Sequence, residues 1–266
     1  DLIIEPATQT HNIAIGGPFD VGGNALELTA DELDGFSGFT SILIGRTDGT
    51  GIISLSPVTF DPIIFNLPLE IVGGSELWAP TDVNTTFTIT GTDAGNVSSN
   101  GLTNSIPFAS IENLSGSGGD DTFSFTNNAT LSGTIDGGDG TDTLDYSNNQ
   151  NPAIVNLAAI GGENIEAAIG NTGSTLIGTN TANTWNITAN NEGTVNETLS
   201  FSDFTNLSGG NANDTFQLNP GVTFNGTING SGGNNTIIAS DTPNTWNLTN
   251  SNAGSINGSN FTAINT

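Results

Sequence analysis

Gly137-Gly138-Asp139-Gly140-Thr141-Asp142-Thr143-Leu144 is the stretch on which the reading of this chain turns. It fits the pattern Gly-Gly-x-Gly-x-Asp-x-aliphatic, a calcium-binding turn between stacked β-coils. Related stretches lie at Gly116-Ser117-Gly118-Gly119-Asp120-Asp121-Thr122-Phe123, at Gly209-Gly210-Asn211-Ala212-Asn213-Asp214-Thr215-Phe216 and at Gly230-Ser231-Gly232-Gly233-Asn234-Asn235-Thr236-Ile237. Asp121 and Asp142 are 21 residues apart, as are Asp214 and Asn235. A constant step of that size is one circuit of a β-helix, so the spacing predicts loops stacked along one edge.

The chemistry of these loops suits a hard cation. Glycine permits positive φ and turns carbonyls inward, and aspartate adds hard oxygens, of which calcium takes about six to eight. The candidate metal ligands of the first pair are Asp120, Asp121, Asp139 and Asp142, with Asp136 and Asp145 near them. The second pair offers Asn213 and Asp214. Asparagine replaces most of the aspartates there, so the first pair is the better calcium candidate. On that reading, alanine at Asp121 and Asp142 lowers the melting temperature in calcium and not in chelator. The motif recurs once per circuit, whereas tandem calcium rolls repeat it about every nine residues. The competing reading is local, with Asn and Asp side chains hydrogen-bonding their own turns.

A longer repeat contains these loops. Asn84-Thr85-Thr86-Phe87-Thr88-Ile89-Thr90 matches Asn183-Thr184-Trp185-Asn186-Ile187-Thr188 and Asn244-Thr245-Trp246-Asn247-Leu248-Thr249. Trp185 to Trp246 is 61 residues and Phe201 to Phe261 is 60, giving units that start near 84, 183 and 244. The offset from Phe108 to Phe201 is 93, so the first copy carries an extra segment near 148–178. The fold class expected is all-β, a right-handed parallel β-helix (β-solenoid) with coils of about 20 residues, three to a unit. Two segments are expected: an N-terminal solenoid of a different sequence type over 1–80, and the repeat solenoid over 81–266, joined near Ala79-Pro80. The third copy breaks off at Thr266, which predicts a piece of a longer array or an open, uncapped end.

Strand signals support this class. Asn12-Ile13-Ala14-Ile15, Ser41-Ile42-Leu43-Ile44, Ile52-Ile53-Ser54-Leu55 and Phe87-Thr88-Ile89-Thr90 read as short strands bounded by turn residues. Pro57, Pro62 and Pro68 break the first segment. Helical periodicity is confined to one turn at Thr29-Ala30-Asp31-Glu32-Leu33, where Thr29 and Glu32 make a capping box.

Composition excludes several functions. The 266 residues include one Arg, no Lys, one His, no Cys and 27 acidic residues, for a net charge of −26. That field repels nucleic acid and anionic membranes and favours divalent cations. No apolar run approaches the roughly 18 residues needed to span a bilayer, so membrane insertion is not expected. The opening Asp1-Leu2-Ile3-Ile4 has no charged leader, so any export signal is expected to have been removed.

Asp34-Gly35-Phe36 and Thr40-Ser41-Ile42-Leu43-Ile44-Gly45-Arg46-Thr47-Asp48-Gly49-Thr50-Gly51 resemble segments of large secreted filamentous-haemagglutinin-like proteins of bacteria, especially cyanobacteria. Ala7-Thr8 to Ile13-Ala14-Ile15-Gly16-Gly17 fits the same context, and the later repeats look like those beside haemolysin-type calcium motifs in giant surface proteins. The resemblance implies a right-handed parallel β-helix, export to the cell surface or secreted matrix, and adhesive or matrix roles.

The expected function is therefore a non-enzymatic, calcium-stabilised rod that self-associates end to end into filaments. The alternative is an adhesin stalk that binds glycan or a surface, for which an exposed Trp78 would speak. Phe87, Trp185 and Trp246 occupy one repeat position and read as a core ladder rather than a sugar platform. A polysaccharide-degrading enzyme of this fold needs a base or paired carboxylates across a cleft. Arg46 sits in a turn context suited to pairing with Asp48, and His11 reads as a solvated strand-end residue. An ice-binding face would need unbroken Thr ranks, and those here are broken.

Overall fold

The computed structural model describes residues 2–6, 9, 11–15, 25–28, 42–46, 48–55, 69–74, 76–80, 82–99 and 105–265. Among them the chain is all-β, with no helix. The one-turn helix expected at 29–33 and the proline breaks at 57–68 lie outside the described residues. The chain divides into two compact units. One comprises 1–143 with 162–165, the other 144–161 with 166–266.

The first unit holds β1 (Leu2–Ile4), β2 (Asn12–Ile15), β3 (Ala25–Leu28), β4 (Ile42–Gly45), β5 (Ile52–Leu55), β6 (Leu69–Val72), β7 (Glu76–Trp78), β8 (Thr85–Gly91), β9 (Ala94–Ser99), β10 (Ile106–Ala109), β11 (Asn113–Ser115), β12 (Thr122–Phe125) and β13 (Ile135–Asp136). One sheet runs β1-β4-β6-β10-β9-β8-β12 and the other β13-β11-β7-β5-β2-β3. Alternation explains why these segments are strands. In β8 every second side chain, Thr85, Phe87 and Ile89, is buried. Equivalent residues stack in register. Ile4, Ile44, Ile71 and Phe108 form one file. Ile13, Ile53, Leu77, Leu114 and Ile135 form another. The segment before Ala79 pairs in parallel with the first repeat through β6–β10 and β7–β11.

The second unit follows the same plan. It holds β14 (Thr143–Asp145), β15 (Ile154–Asn156), β16 (Ala167–Ile169), β17 (Thr175–Ile177), β18 (Thr184–Ala189), β19 (Glu192–Val195), β20 (Leu199–Ser202), β21 (Asn206–Ser208), β22 (Thr215–Leu218), β23 (Thr227–Asn229), β24 (Thr236–Ile238), β25 (Trp246–Asn250), β26 (Ala253–Ile256) and β27 (Ser259–Thr262). Its sheets run β14-β16-β20-β19-β18-β22-β24 and β15-β17-β21-β23-β27-β26-β25.

The 60-residue unit is not three equal parallel circuits. Each copy contributes an antiparallel meander, β8-β9-β10, β18-β19-β20 and β25-β26-β27, set into otherwise parallel sheets. Residues with left-handed φ make the turns: Asp93, Asn191 and Asn252 at the first bend, Asn196-Glu197 and Asn257-Gly258 at the second. Asn and Asp tolerate that region better than other non-glycine residues. The step between stacked residues is therefore 21 where no meander intervenes, as for Leu207 and Ile228. It lengthens where one does, as from Leu176 to Leu207.

Candidate functional site: a buried aspartate and asparagine ladder

Each glycine-rich loop delivers its last Asp or Asn to the position just before a strand. Asp121, Asp142, Asp214 and Asn235 are all buried there, at 1%, 0%, 1% and 0% exposure. Their Oδ1 atoms accept from the backbone of the preceding rung. Thr85 N–H donates to Asp121 Oδ1 at 2.6 Å, and Asp121 N–H to Asp142 Oδ1 at 2.7 Å. Asn183 N–H donates to Asp214 Oδ1 and Asp214 N–H to Asn235 Oδ1, both at 2.8 Å, and Asn235 N–H to Asn265 Oδ1 at 2.9 Å. A second ladder, one residue earlier, runs the opposite way. Asp120 N–H donates to Asn84 Oδ1, Thr141 N–H to Asp120 Oδ1, and Asn234 N–H to Asn213 Oδ1.

The glycines follow from this packing. Gly116, Gly137, Gly209 and Gly230 each stand five residues before the buried side chain. A Cβ at any of them would overlap both that side chain and a backbone carbonyl of a neighbouring rung. Gly138 and Gly140 meet a second demand, with φ of +91° and +145°.

Burial sets the electrostatics. It pushes the Asp121 carboxyl up to about 7. The Thr85 hydrogen bonds oppose that rise, and the nearby charges of Asp142 and Asp120 add to it. Asp214 is also raised by burial, against hydrogen bonds from Asn183. Asp121 Oδ2 and Asp214 Oδ2 have no hydrogen-bond partner.

The residues predicted as calcium ligands are sorted rather than gathered. Asp121, Asp142 and Asp214 point inward, while Asp120 and Asp139 lie exposed on the outer edge. Asp136 Oδ1 accepts from Gly138 N–H and Asn164 Nδ2. Asp145 Oδ1 accepts from Ser147 N–H two residues on. Asn213 belongs to the outer ladder. Among the described residues no three His, Cys, Asp or Glu stand close enough to hold an ion. The inner positions form a hydrogen-bonded spine through their Oδ1 atoms. These bonds link rung to rung, unlike those of a self-contained Asx turn.

Thr85, Asn183 and Asn265 belong to the spine and carry no glycine-rich motif complete enough to mark them. The usable signal is the spacing of five from Gly178 to Asn183, followed by Thr184-Trp185, which repeats Gly116, Asp121, Thr122 and Phe123.

The aromatic position divides. Phe87 and Trp185 are fully buried, as expected of a core ladder, whereas Trp246 is 46% exposed. Trp78 is exposed on β7. Arg46 pairs with Asp48 at 2.9 Å and also approaches Glu5. The Arg46 hydrogen bond, helped by Gln9, holds the Asp48 carboxyl down to about 2. His11 is half-buried at the start of β2. Beside the first loop lies a polar recess of about 400 Å³ lined by Asn84, Thr85, Thr86, Ser98, Ser99, Asp120 and Thr122. Compared with models of protein families and with curated proteins, the chain matches none.

Proposed function

We propose that this chain is a non-enzymatic structural protein, a right-handed β-solenoid that assembles end to end outside the cell. The observation that supports this is the spine itself. Its conserved chemistry within the molecule, Gly-x4-Asp/Asn-Thr-hydrophobic, is directed at holding one rung to the next and not at a cleft. Stacked rungs give stiffness, and a net charge of −26 suits a cation-rich exterior. Calcium in this reading acts at the outer edge, where Asp120 and Asp139 are exposed, and lowers repulsion between carboxylates. Extracellular placement, at a cell surface or in a secreted matrix, rests on the resemblance to filamentous-haemagglutinin-like proteins.

Electron microscopy of the purified chain in millimolar calcium tests the assembly. Long fibres with an axial repeat support it, and their dissolution by chelator would tie calcium to it. Isolated particles under all conditions overturn it. A second reading, an adhesin stalk for glycan or a surface, is favoured by the exposed Trp78 and the polar recess beside Asp120. Glycan-array binding that is lost in Trp78→Ala would support that reading instead.

A further inference from the structure

Among the described residues the chain contains three Asn-Gly steps, Asn225-Gly226, Asn229-Gly230 and Asn257-Gly258. In such a step the glycine nitrogen can attack the asparagine side chain, because no Cβ shields it. The local sequences are alike, Phe-Asn-Gly-Thr once and Ile-Asn-Gly-Ser twice. The fold treats the three differently.

At Asn229 both reacting groups are engaged. Its Oδ1 accepts from Ser231 N–H at 2.9 Å, and Gly230 N–H donates to the Thr262 carbonyl at 2.9 Å. At Asn257 the carboxamide is tied at both ends. Its Oδ1 accepts from Thr245 N–H and its Nδ2 donates to Asn244 Oδ1, each at 2.8 Å. Asn225 lies exposed in the bend between β22 and β23. Its backbone is anchored, with N–H donating to Asn190 Oδ1 at 3.0 Å. Its carboxamide and the Gly226 N–H make no hydrogen bond among the described residues.

We propose that Asn225-Gly226 is a self-modification site, at which the folded chain converts Asn225 to aspartate and isoaspartate with water as the only co-reactant. The Gly226 nitrogen gives up its proton and bonds to Asn225 Cγ. The bond from Cγ to the side-chain nitrogen breaks, and ammonia leaves with that proton, closing a five-membered imide. Water then adds to one of the two ring carbonyls and opens it to a carboxylate. Opening one way restores the backbone as aspartate, adding one negative charge to a chain already at −26. Opening the other way gives isoaspartate, which lengthens the main chain by one carbon just before Gly226.

That site has no room for a longer link. A Cβ on Gly226 would overlap the Thr205 carbonyl, so the backbone there is packed tightly on the neighbouring rung. On either side, Phe224 N–H donates to Ser259 Oγ at 2.8 Å and Thr227 N–H to the Thr205 carbonyl at 3.1 Å. Isoaspartate therefore loosens β23 at its first pairing with β21, where Thr227 stands opposite Asn206. The rung carries a chemical mark of the chain's age. The chemistry needs only this fold and water, so it stands or falls apart from assembly.

The test ages the full chain at mildly alkaline pH in 18O-water and maps it by tandem mass spectrometry. Asn225 should deamidate about tenfold faster or more than Asn229 and Asn257, since each of those must first break two hydrogen bonds. One 18O should enter the new carboxylate. In urea, where none of the three is held, the rates should converge. Hydrogen exchange of the isolated isoaspartate form should show lost protection at Thr227, while Asn225→Asp keeps it. Asn225→Gln should keep it through ageing. Equal rates at the three sites in the folded chain, or an Asn225 that lasts as long as Asn229, overturn the site. Full Thr227 protection in the isoaspartate form overturns the loosening.

Discussion

At the scale of the residue, Asp121 is the informative side chain. Its carboxyl is raised to about 7 in the folded chain against an ordinary value of 3.8. Folding therefore favours its protonated form. The stability it contributes is fully present below about pH 4 and is lost as pH rises through about 7. Urea unfolding in chelator should show this as a difference between wild type and Asp121→Asn that grows with pH over that interval, with the variant the more stable at pH 8. Asparagine is tolerated because Asn235 already fills the matching position. Asp121→Ala is a different change: it strands the Thr85 N–H and should cost about 1–3 kcal/mol. That loss should be equal in calcium and in chelator, contrary to what a calcium loop predicts. Gly116→Ala should cost about 1–3 kcal/mol by overpacking the spine. Gly91→Ala, which meets only the Ala94 side chain at 3.7 Å, should stay within about 0.5 kcal/mol in the same melting experiment.

At the scale of the element, the stacked rings join strands that are parallel neighbours. Phe216→Ala should destabilise the chain by about 3–5 kcal/mol and move Trp185 emission to the red, since its stacked face would open to water. How far such elements were legible in the sequence differs by kind. Alternation at Asn12–Ile15, Ile52–Leu55 and Phe87–Thr90 marked strands because a half-buried strand has a period of two, and the last extends over Thr85–Gly91. The meanders were not read, although Asn257-Gly258 between Ile256 and Ser259 is a strong hairpin signal. A 60-residue period divides evenly into 20, and that arithmetic hid the reversal of β9, β19 and β26. The loops were located correctly and their chemistry was harder to read. Asp121 and Asp142 are as suited to a cation as to a neighbouring N–H, and what Oδ1 faces depends on burial, which their spacing does not carry.

At the scale of the whole molecule, the ladder makes Asp121, Asp214 and Asn235 each both acceptor and donor toward neighbouring rungs. Asp214 accepts from Asn183 and donates to Asn235, which in turn donates to Asn265. Removing residues 216–236 takes out one 21-residue step and leaves Asp214 facing Asn265 in the role of Asn235. That deletion should yield a folded chain with a cooperative thermal transition. Removing 216–235 shifts Ile237 to the opposite face and should abolish that transition, since a one-residue slip reverses inside and outside. The 21-residue step thus makes chain length a heritable variable. A duplication or loss of one whole step keeps the inward and outward alternation of every strand and the donor–acceptor order of the ladder. Lineages carrying this repeat can lengthen or shorten by recombination between its copies, and selection would act on reach while the chemistry of each rung stays unchanged.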